Sequence, residues 1–586
     1  MASNGTEKAA VTTDGKVDRS DDAAFIETLE RSAPGYGMER SSDTAMEIID
    51  DENNNPNIHH HMNWRLASAL TTMSFLWVGS QIPLYMFGSV IPLIYNDVGG
   101  YFIYVWLVIG YLIPNAALCP FVGALSDLVG RKPVAAAGQG LLILGPIITA
   151  TAKSMRPAIG GMVLSGLGAG LNELIALAGT AELVPVRKRG TYVGLVVFTI
   201  LPFCPSVLWA QLIAEASNWR YVGIPVGLWN FIGLVLVLFV YDDPAKNRKI
   251  DKKKVLREVD YIGGFLSTAG VVCFMMGMQW GTHQYSWGSA HVLAPFIIGL
   301  VLIATFFAWE IYAPYPMVPR KLFSKAKRTM LLILLITFFS GGNFFVMLLF
   351  WPTQIYNVYG NDPLGVGIRS LPIGFGIIGG AAIALILIPI IKGRTTLLMI
   401  FATAIMTAGT GAMSISTPDN LGATYAVVTI ASIGVGAVII PSSIIAQIVS
   451  PPEFIGTITA VTLSIRYIGG AIGFTAYYSI FYYKLEGYLT DIVGYAIVAN
   501  GIAAQTDVTT IGTLITLASQ AMFDDLEAYI QASPTVAQKE VAFGIVVTAT
   551  QEGFALAYRW PYWMSIAFGG LCFLLAFGLK DIRKFL

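Results

Sequence analysis

Two ionisable side chains stand inside otherwise apolar stretches, and both suit proton or ion-pair chemistry. Glu173 lies in Gly166-Leu-Gly168-Ala-Gly170-Leu-Asn172-Glu173-Leu-Ile-Ala-Leu, and Arg466 in Leu463-Ser-Ile-Arg466-Tyr-Ile-Gly469-Gly470. A charge at a bilayer centre costs at least ~2.5–3.5 kcal/mol on insertion scales, so each needs a compensating role. Glu173 has two readings: a carboxyl that takes up and releases a proton, or a carboxylate hydrogen-bonded to a neighbouring helix for packing alone. Arg466 could neutralise a carboxylate, contact carbonyl groups of a bound molecule, or form a permanent structural ion pair. The glycines after it allow close helix approach. Uncharged polar side chains dot the same kind of stretch: Gln81, Tyr85, Asn172, Gln211, Asn230 and Asn343. A few such groups among apolar walls suit an amphipathic, largely uncharged small molecule. Aromatics such as Trp77, Trp209, Trp229, Phe344 and Trp351 would supply the walls, although most aromatic residues in such a chain face lipid or neighbouring helices. Clustered Lys or Arg is missing from these stretches, which disfavours an anionic ligand.

The elements that must position these residues are long apolar helices. Of 586 residues, 55% are hydrophobic and only 12% charged, too apolar for a water-soluble globular protein. A hydrocarbon core of ~30 Å takes ~20 apolar helical residues. Runs of that kind fall near 66–95, 101–123, 133–152, 157–184, 191–216, 221–241, 261–281, 291–312, 329–355, 366–391, 395–415, 420–448, 457–483 and 561–580. Charge checks the count, because cytoplasmic loops hold the Lys and Arg. With fourteen spans and both ends inside, one side receives Arg131 and Lys132, Arg187 to Arg189, the cluster from Lys246 to Arg257, that from Arg320 to Arg328, Lys392 and Arg394, and the terminal Lys580, Arg583 and Lys584. The short connections on the other side hold only Lys153, Arg156, Arg220 and Arg369.

The expected fold is therefore an all-α integral membrane protein of 14 transmembrane helices. Residues 1–62, polar and acidic, read as a disordered cytoplasmic tail rather than a cleaved leader. A six-helix bundle is expected over 63–241, a basic linker with an inserted helix pair over 242–328, and helices nine to thirteen over 329–483. A long, partly helical extracellular loop follows over 484–558, then the last helix and a cytoplasmic tail over 559–586. Weak internal matches place spans one to six over nine to fourteen. Ala181-Glu-Leu-Val-Pro185 answers Ala446-Gln-Ile-Val-Ser450, Gly166-Leu-Gly168-Ala-Gly170 answers Ser432-Ile-Gly434-Val-Gly436, and Gly393-Arg394 echoes Gly130-Arg131. Two halves rocking about a site near the midplane are the usual machinery of alternating access. The four cysteines all lie in apolar runs without metal-ligand spacing, and His59 to His61 sit in the tail without fixed geometry, so no metal site is expected. The chain carries no G-x-x-x-x-G-K-S/T loop, which leaves an ion gradient, most plausibly protons, as the energy source and no cofactor.

Between the second and third runs lies Gly123-Ala-Leu-Ser-Asp127-Leu-Val-Gly130-Arg131-Lys132. It resembles motif A of the major facilitator superfamily, G-x-L-x-D-x-x-G-R-K/R. The resemblance implies a latch: the Asp127 carboxylate at the positive amino end of helix thirteen, and Arg131 paired with Glu182 at the base of helix four, closing the cytoplasmic side. It also implies that helix four, with Glu173, lines the central cavity. Further stretches resemble the fungal trichothecene efflux pump family, within the fourteen-span drug:proton antiporters. They are Ala181-Glu182-Leu-Val-Pro185, Asn218-Trp219-Arg220, Asp260-Tyr-Ile-Gly263, Trp280-Gly281 with Tyr285-Ser-Trp287, Pro316-Met317 with Leu322-Phe323, and Arg466-Tyr-Ile-Gly469-Gly470. Many drug antiporters place an Arg ahead of the span-four glycines. Here Met162-Val-Leu-Ser165 stands instead, so no relay through that residue carries over.

These readings converge on a proton-coupled exporter of a small, largely uncharged secondary metabolite or toxin, trichothecene-like. The protein is expected to be a monomer without enzymatic activity or nucleic-acid partner, at the plasma membrane or in the vacuolar membrane. The alternatives are proton-coupled uptake of a siderophore or other nutrient and a non-transporting membrane receptor.

Overall fold

The computed structural model describes residues 64–583 apart from 185–188, 242–259, 284, 315, 392 and 452–453. The expected tail over 1–62, the basic linker cluster from Lys246 to Arg257, and Arg187, Lys188, Lys392 and Lys584 lie outside the described residues. The chain folds as helices. In the first half these are α1 (Trp64–Gly88), α2 (Ile91–Val98), α3 (Val105–Val129), α4 (Arg131–Thr151), α5 (Met155–Glu182), α6 (Arg189–Phe198), α7 (Ser206–Ala216) and α8 (Gly223–Phe239). Next come α9 (Tyr261–His283) and α10 (Ala290–Tyr312). The remainder comprises α11 (Lys327–Phe345), α12 (Trp351–Gln354), α13 (Pro363–Ile390), α14 (Thr395–Ala412), α15 (Leu421–Val449), α16 (Ile455–Ala499), α17 (Val508–Ser519), α18 (Phe523–Ala532) and α19 (Lys539–Ala576). Among the described residues thirteen helical stretches are long and apolar enough to cross a bilayer, and a fourteenth arises if α1 and α2, bent by 60°, count as one span. The bend falls where Pro92 opens α2, since a proline cannot donate to the preceding turn. Pro202 and Pro205 likewise separate α6 from α7 within the stretch Gly190–Ala216.

The two halves repeat one packing scheme. In the first, α5 packs on α3, α4 and α1, and α8 on α1 and α4; in the second, α15 packs on α13, α14 and α11, and α19 on α11 and α14. The halves meet through α3 against α16 and, in the matching place, α13 against α7. The glycines of the internal repeat explain this. A Cβ on Gly168 would strike Leu142 and the Gly138 carbonyl of α4, and one on Gly434 would strike Met406 of α14. A Cβ on Gly166 would strike the Tyr111 carbonyl of α3, and one on Gly436 the Ile377 carbonyl of α13. Small residues bring helix backbones together where no hydrophobic drive toward water exists. The short turns repeat too: Gly130, before α4, and Gly393, before α14, both have positive φ, at 97° and 71°, a conformation that a Cβ disfavours.

The pair α9 and α10 packs chiefly on itself and meets the rest through α9 against α3 and α16. The flank of α10 remains apolar and exposed at Ile297, Ile298, Val301, Phe307 and Ile311, as lipid contact requires. Residues 484–558, expected as a partly helical connection, are mostly helix. At 45 residues α16 is ~67 Å long, more than twice the hydrocarbon thickness. It continues through Ala499, and α19 already begins at Lys539 rather than near 559. The segment is ordered because α17 and α18 pack on these two projecting helices.

Candidate functional site

At mid-depth the halves are joined by one charged contact. Glu173, nineteenth residue of α5, is wholly buried. Arg466 Nη2 of α16 donates to Glu173 Oε1 at 2.6 Å, and Tyr467 OH donates to Glu173 Oε2 at 2.6 Å. The Arg466 guanidinium also lies 5.4 Å from the Tyr467 ring centroid. Arg466 stands eleven residues into α16, ~17 Å along its axis, and Glu173 nine residues from the end of α5, ~14 Å. Both depths fit the middle of a bilayer. Each carboxylate oxygen thus receives a strong donor from the opposite half, an arrangement that offsets the cost of burying the charge. The Tyr85 hydroxyl donates to Gln81 Oε1 at 3.0 Å. Tyr467 was not singled out from sequence; its position next to Arg466 was the available signal.

One end of the bundle carries the motif-like turn. Arg131 pairs with Glu182 at the end of α5, and Lys132 Nζ donates to the Tyr241 carbonyl just beyond α8 at 2.9 Å. Glu182 reaches the other half as well. Its Oε1 lies 3.9 Å from where a Cβ on Gly456 would stand, in the first turn of α16, where the helix dipole favours a carboxylate. That place was expected for Asp127, whose side chain lies outside the described residues. A Cβ on Gly123 would meet nothing within 4 Å, so close packing does not require glycine there.

Of the six polar side chains considered for a cavity, Gln81 and Tyr85 bond each other along α1, and the other four are engaged elsewhere. Asn172 is buried between α5 and α4, with its amide placed to bond the Ala135 carbonyl and the Gln139 N–H. Gln211 Nε2 donates to the Ser89 carbonyl at 2.8 Å, bracing the bend after α1. Asn230 Nδ2 donates within α8 to the Val226 carbonyl at 2.9 Å, and Asn230 packs against Gly79 of α1. Asn343 accepts from Tyr477 OH at 3.3 Å inside the second half. These four satisfy backbone and neighbouring groups within one half, which is where a buried amide in an apolar bundle finds partners.

Several stretches noted for their family likeness are pins. Arg220 Nη2 and Trp219 Nε1 both donate to Asp97 Oδ2, at 2.8 and 3.0 Å. Asp260 caps α9 by accepting from Gly263 N at 2.8 Å, and it also accepts from Trp309 Nε1 of α10 at 2.9 Å. Glu310 accepts from Met317 N and Val318 N at 3.0 and 3.1 Å.

The Major Facilitator Superfamily model matches residues 73–474, most of the chain and both halves of the repeat. The chain belongs to the major facilitator superfamily. Among similar facilitators, the MFS-type efflux transporter ffsH of Aspergillus flavipes is 29% identical over 346 residues, 56% of this chain and 58% of that protein. The MFS-type transporter pydD of an Acremonium species is 28% identical over 328 residues, covering 55% and 56%. The matches thus span little over half the length of these two relatives. A longer one, to the MFS-type transporter gkaD of Penicillium citrinum, is 26% identical over 509 residues and covers 84% of this chain and 81% of that protein. In fold the facilitator is similar to the proton:xylose symporter XylE bound to 6-bromo-6-deoxy-D-glucose, with a TM-score of 0.50, 12% identity and coverage of 89% and 98%. It is likewise similar to the human organic anion transporter MFSD10, at 0.50, 13%, 72% and 95%. The facilitator is a multi-pass membrane protein, and its Glu173 contact lies between the two halves that define the fold.

Proposed function

We propose that this facilitator is a proton-coupled exporter of a small, amphipathic, largely uncharged secondary metabolite, acting at the plasma membrane with its basic face in the cytoplasm. The observation that carries the reading is the Glu173 carboxylate held by Arg466 and Tyr467 of the opposite half. Protonation of Glu173 removes the charge that holds the halves together at mid-depth and leaves Arg466 to seek another acceptor. A proton thereby biases the rocking of one half against the other. Arg131 with Glu182 acts as the latch on the cytoplasmic side, and Gln81 with Tyr85 supplies polar contacts for cargo beside the coupling pair. Export is the direction named for the relative ffsH, and another relative, 23% identical, is the acurin A biosynthesis cluster transporter of Aspergillus aculeatus.

The test is accumulation of a labelled trichothecene-like sesquiterpenoid in cells lacking endogenous pumps, with and without the protein, before and after collapse of the proton gradient. Lower accumulation that returns to control on collapse supports proton-driven export. Higher accumulation would replace it with uptake, and siderophores would be the next cargo tried.

A further inference from the structure

We propose that the mouth between the halves, at the end remote from Arg131, is a second cargo station for a neutral, flat molecule bearing hydrogen-bond acceptors. Its roof is the turn between α17 and α18. The mouth is lined by Tyr95, Tyr101 and Tyr104 from the first half and by Tyr478, Tyr482 and Tyr558 from the second. Their rings meet across the gap, with Tyr104 and Tyr478 centroids 6.3 Å apart, and Phe481 lies 4.4 Å from Tyr558. Such walls offer faces on which a flat molecule stacks. Their hydroxyls form a chain, Tyr104 to Tyr482 and Tyr482 to Tyr101, each link 3.1 Å.

The roof is held by the same groups. Tyr95 OH donates to the Gln520 carbonyl at 3.2 Å, and Tyr101 OH to the Ser519 carbonyl at 3.0 Å. Next to them Ala521 has a φ of 52°, a conformation that a residue with a Cβ adopts only when its surroundings impose it. With the roof down the cavity is about 50 Å³, too small for a metabolite. When the roof lifts, the Tyr95 hydroxyl gives up the Gln520 carbonyl and can donate instead to a carbonyl or ether oxygen of a ligand. No Lys, Arg, His, Asp or Glu is among the lining residues, so a charged ligand would be desolvated without a counter-charge. The station thus selects by neutrality and by acceptor groups, at a site separate from Glu173. It rests on the reading of the protein as a transporter, but its test is a binding measurement without a gradient and so stands or falls apart from proton coupling.

The full-length protein in lipid nanodiscs is photolabelled with benzophenone, with 4-benzoylbenzoate and with (4-benzoylbenzyl)trimethylammonium, and adducts are mapped by mass spectrometry. Benzophenone is expected to label peptides carrying Tyr95 to Tyr104, Tyr478 to Tyr482 or Tyr558 at least about tenfold more than either charged probe. The variant Ala521→Pro cannot adopt the φ of 52° that the roof turn uses, so it unseats the roof while leaving every tyrosine hydroxyl in place, and should raise those adducts several-fold. Benzophenone adducts confined to lipid-facing residues such as Phe239 and Phe401, or equal labelling by the charged probes, would overturn the station. Unchanged labelling in Ala521→Pro would overturn the roof.

Discussion

Glu173 and Arg466 compensate one another, and that sets what single substitutions do. Breaking a buried pair leaves one charge uncompensated and typically costs ~3–5 kcal/mol, whereas removing both charges costs far less. Arg466→Ala should therefore lower the melting temperature of the purified protein sharply, and Arg466→Gln combined with Glu173→Gln should recover most of the loss. Equal melting of the single and double variants would show that the contact carries little of the stability. Function separates differently. On the proposed mechanism Glu173→Gln removes the proton-carrying carboxyl, so transport should stop responding to a pH gradient while gradient-free exchange of labelled cargo continues. Normal pumping by that variant would make the residue structural. Tyr467→Phe removes one donor to a charged oxygen, worth ~1.5–3 kcal/mol, and should lower the melting temperature by less than Arg466→Ala.

Helix α15 shows how an element is specified by where it has no side chain. Gly436 lies against the Ile377 carbonyl of α13, whereas a Cβ on Gly422 of the same helix would meet nothing within 4 Å. Gly436→Ala should cost ~1–3 kcal/mol by forcing α13 and α15 apart. Gly422→Ala should be neutral or stabilising, by up to ~1 kcal/mol. Thermal melts of the two variants check both signs. The latch at the base of α5 behaves otherwise. The Arg131–Glu182 pair is partly exposed, and such pairs contribute ~0–1 kcal/mol. If the pair is the proposed latch, Arg131→Ala should leave the melting temperature nearly unchanged while slowing turnover. A large fall in stability would mean the pair holds the fold rather than the state.

Across the whole molecule the ion pairs fall at three depths, with Arg220–Asp97 at the end remote from Arg131. Arg131, Lys132 and Glu182 close one end, Glu173 and Arg466 sit between, and tyrosine hydroxyls close the other end. The proposed topology, based on the positive-inside rule, has the Arg131 end in the cytoplasm. Lys325 and Gln505 are exposed at opposite ends. An impermeant maleimide should label Gln505→Cys in intact cells and Lys325→Cys only after permeabilisation. Native thiols add little background, because Cys119, Cys204 and Cys572 are buried and Cys273 is half-buried. Labelling in the reverse order would invert the proposed topology.

The positions of the spans, the inserted pair and the repeated halves were legible in the sequence. Length and hydropathy set against bilayer thickness are local properties, and so are the glycines that both halves repeat. Glu173 and Arg466 were legible as well, since a charge in an apolar run is conspicuous without any neighbour being known. Their union was not, because the two are separated by 293 positions and meet only when α5 and α16 are packed. The rotation of each helix was equally hidden. Where every face is apolar, periodicity does not say which side turns inward. Asn172, Gln211, Asn230 and Asn343 therefore looked like Gln81 and Tyr85 until packing sorted them. The tyrosine mouth gave no signal either, because its rings come from both halves and its roof from a connecting segment whose packing the sequence did not show. Local chemistry determined which elements exist and how deep they lie. Only tertiary packing decided which faces meet, because that depends on partners distant in the chain.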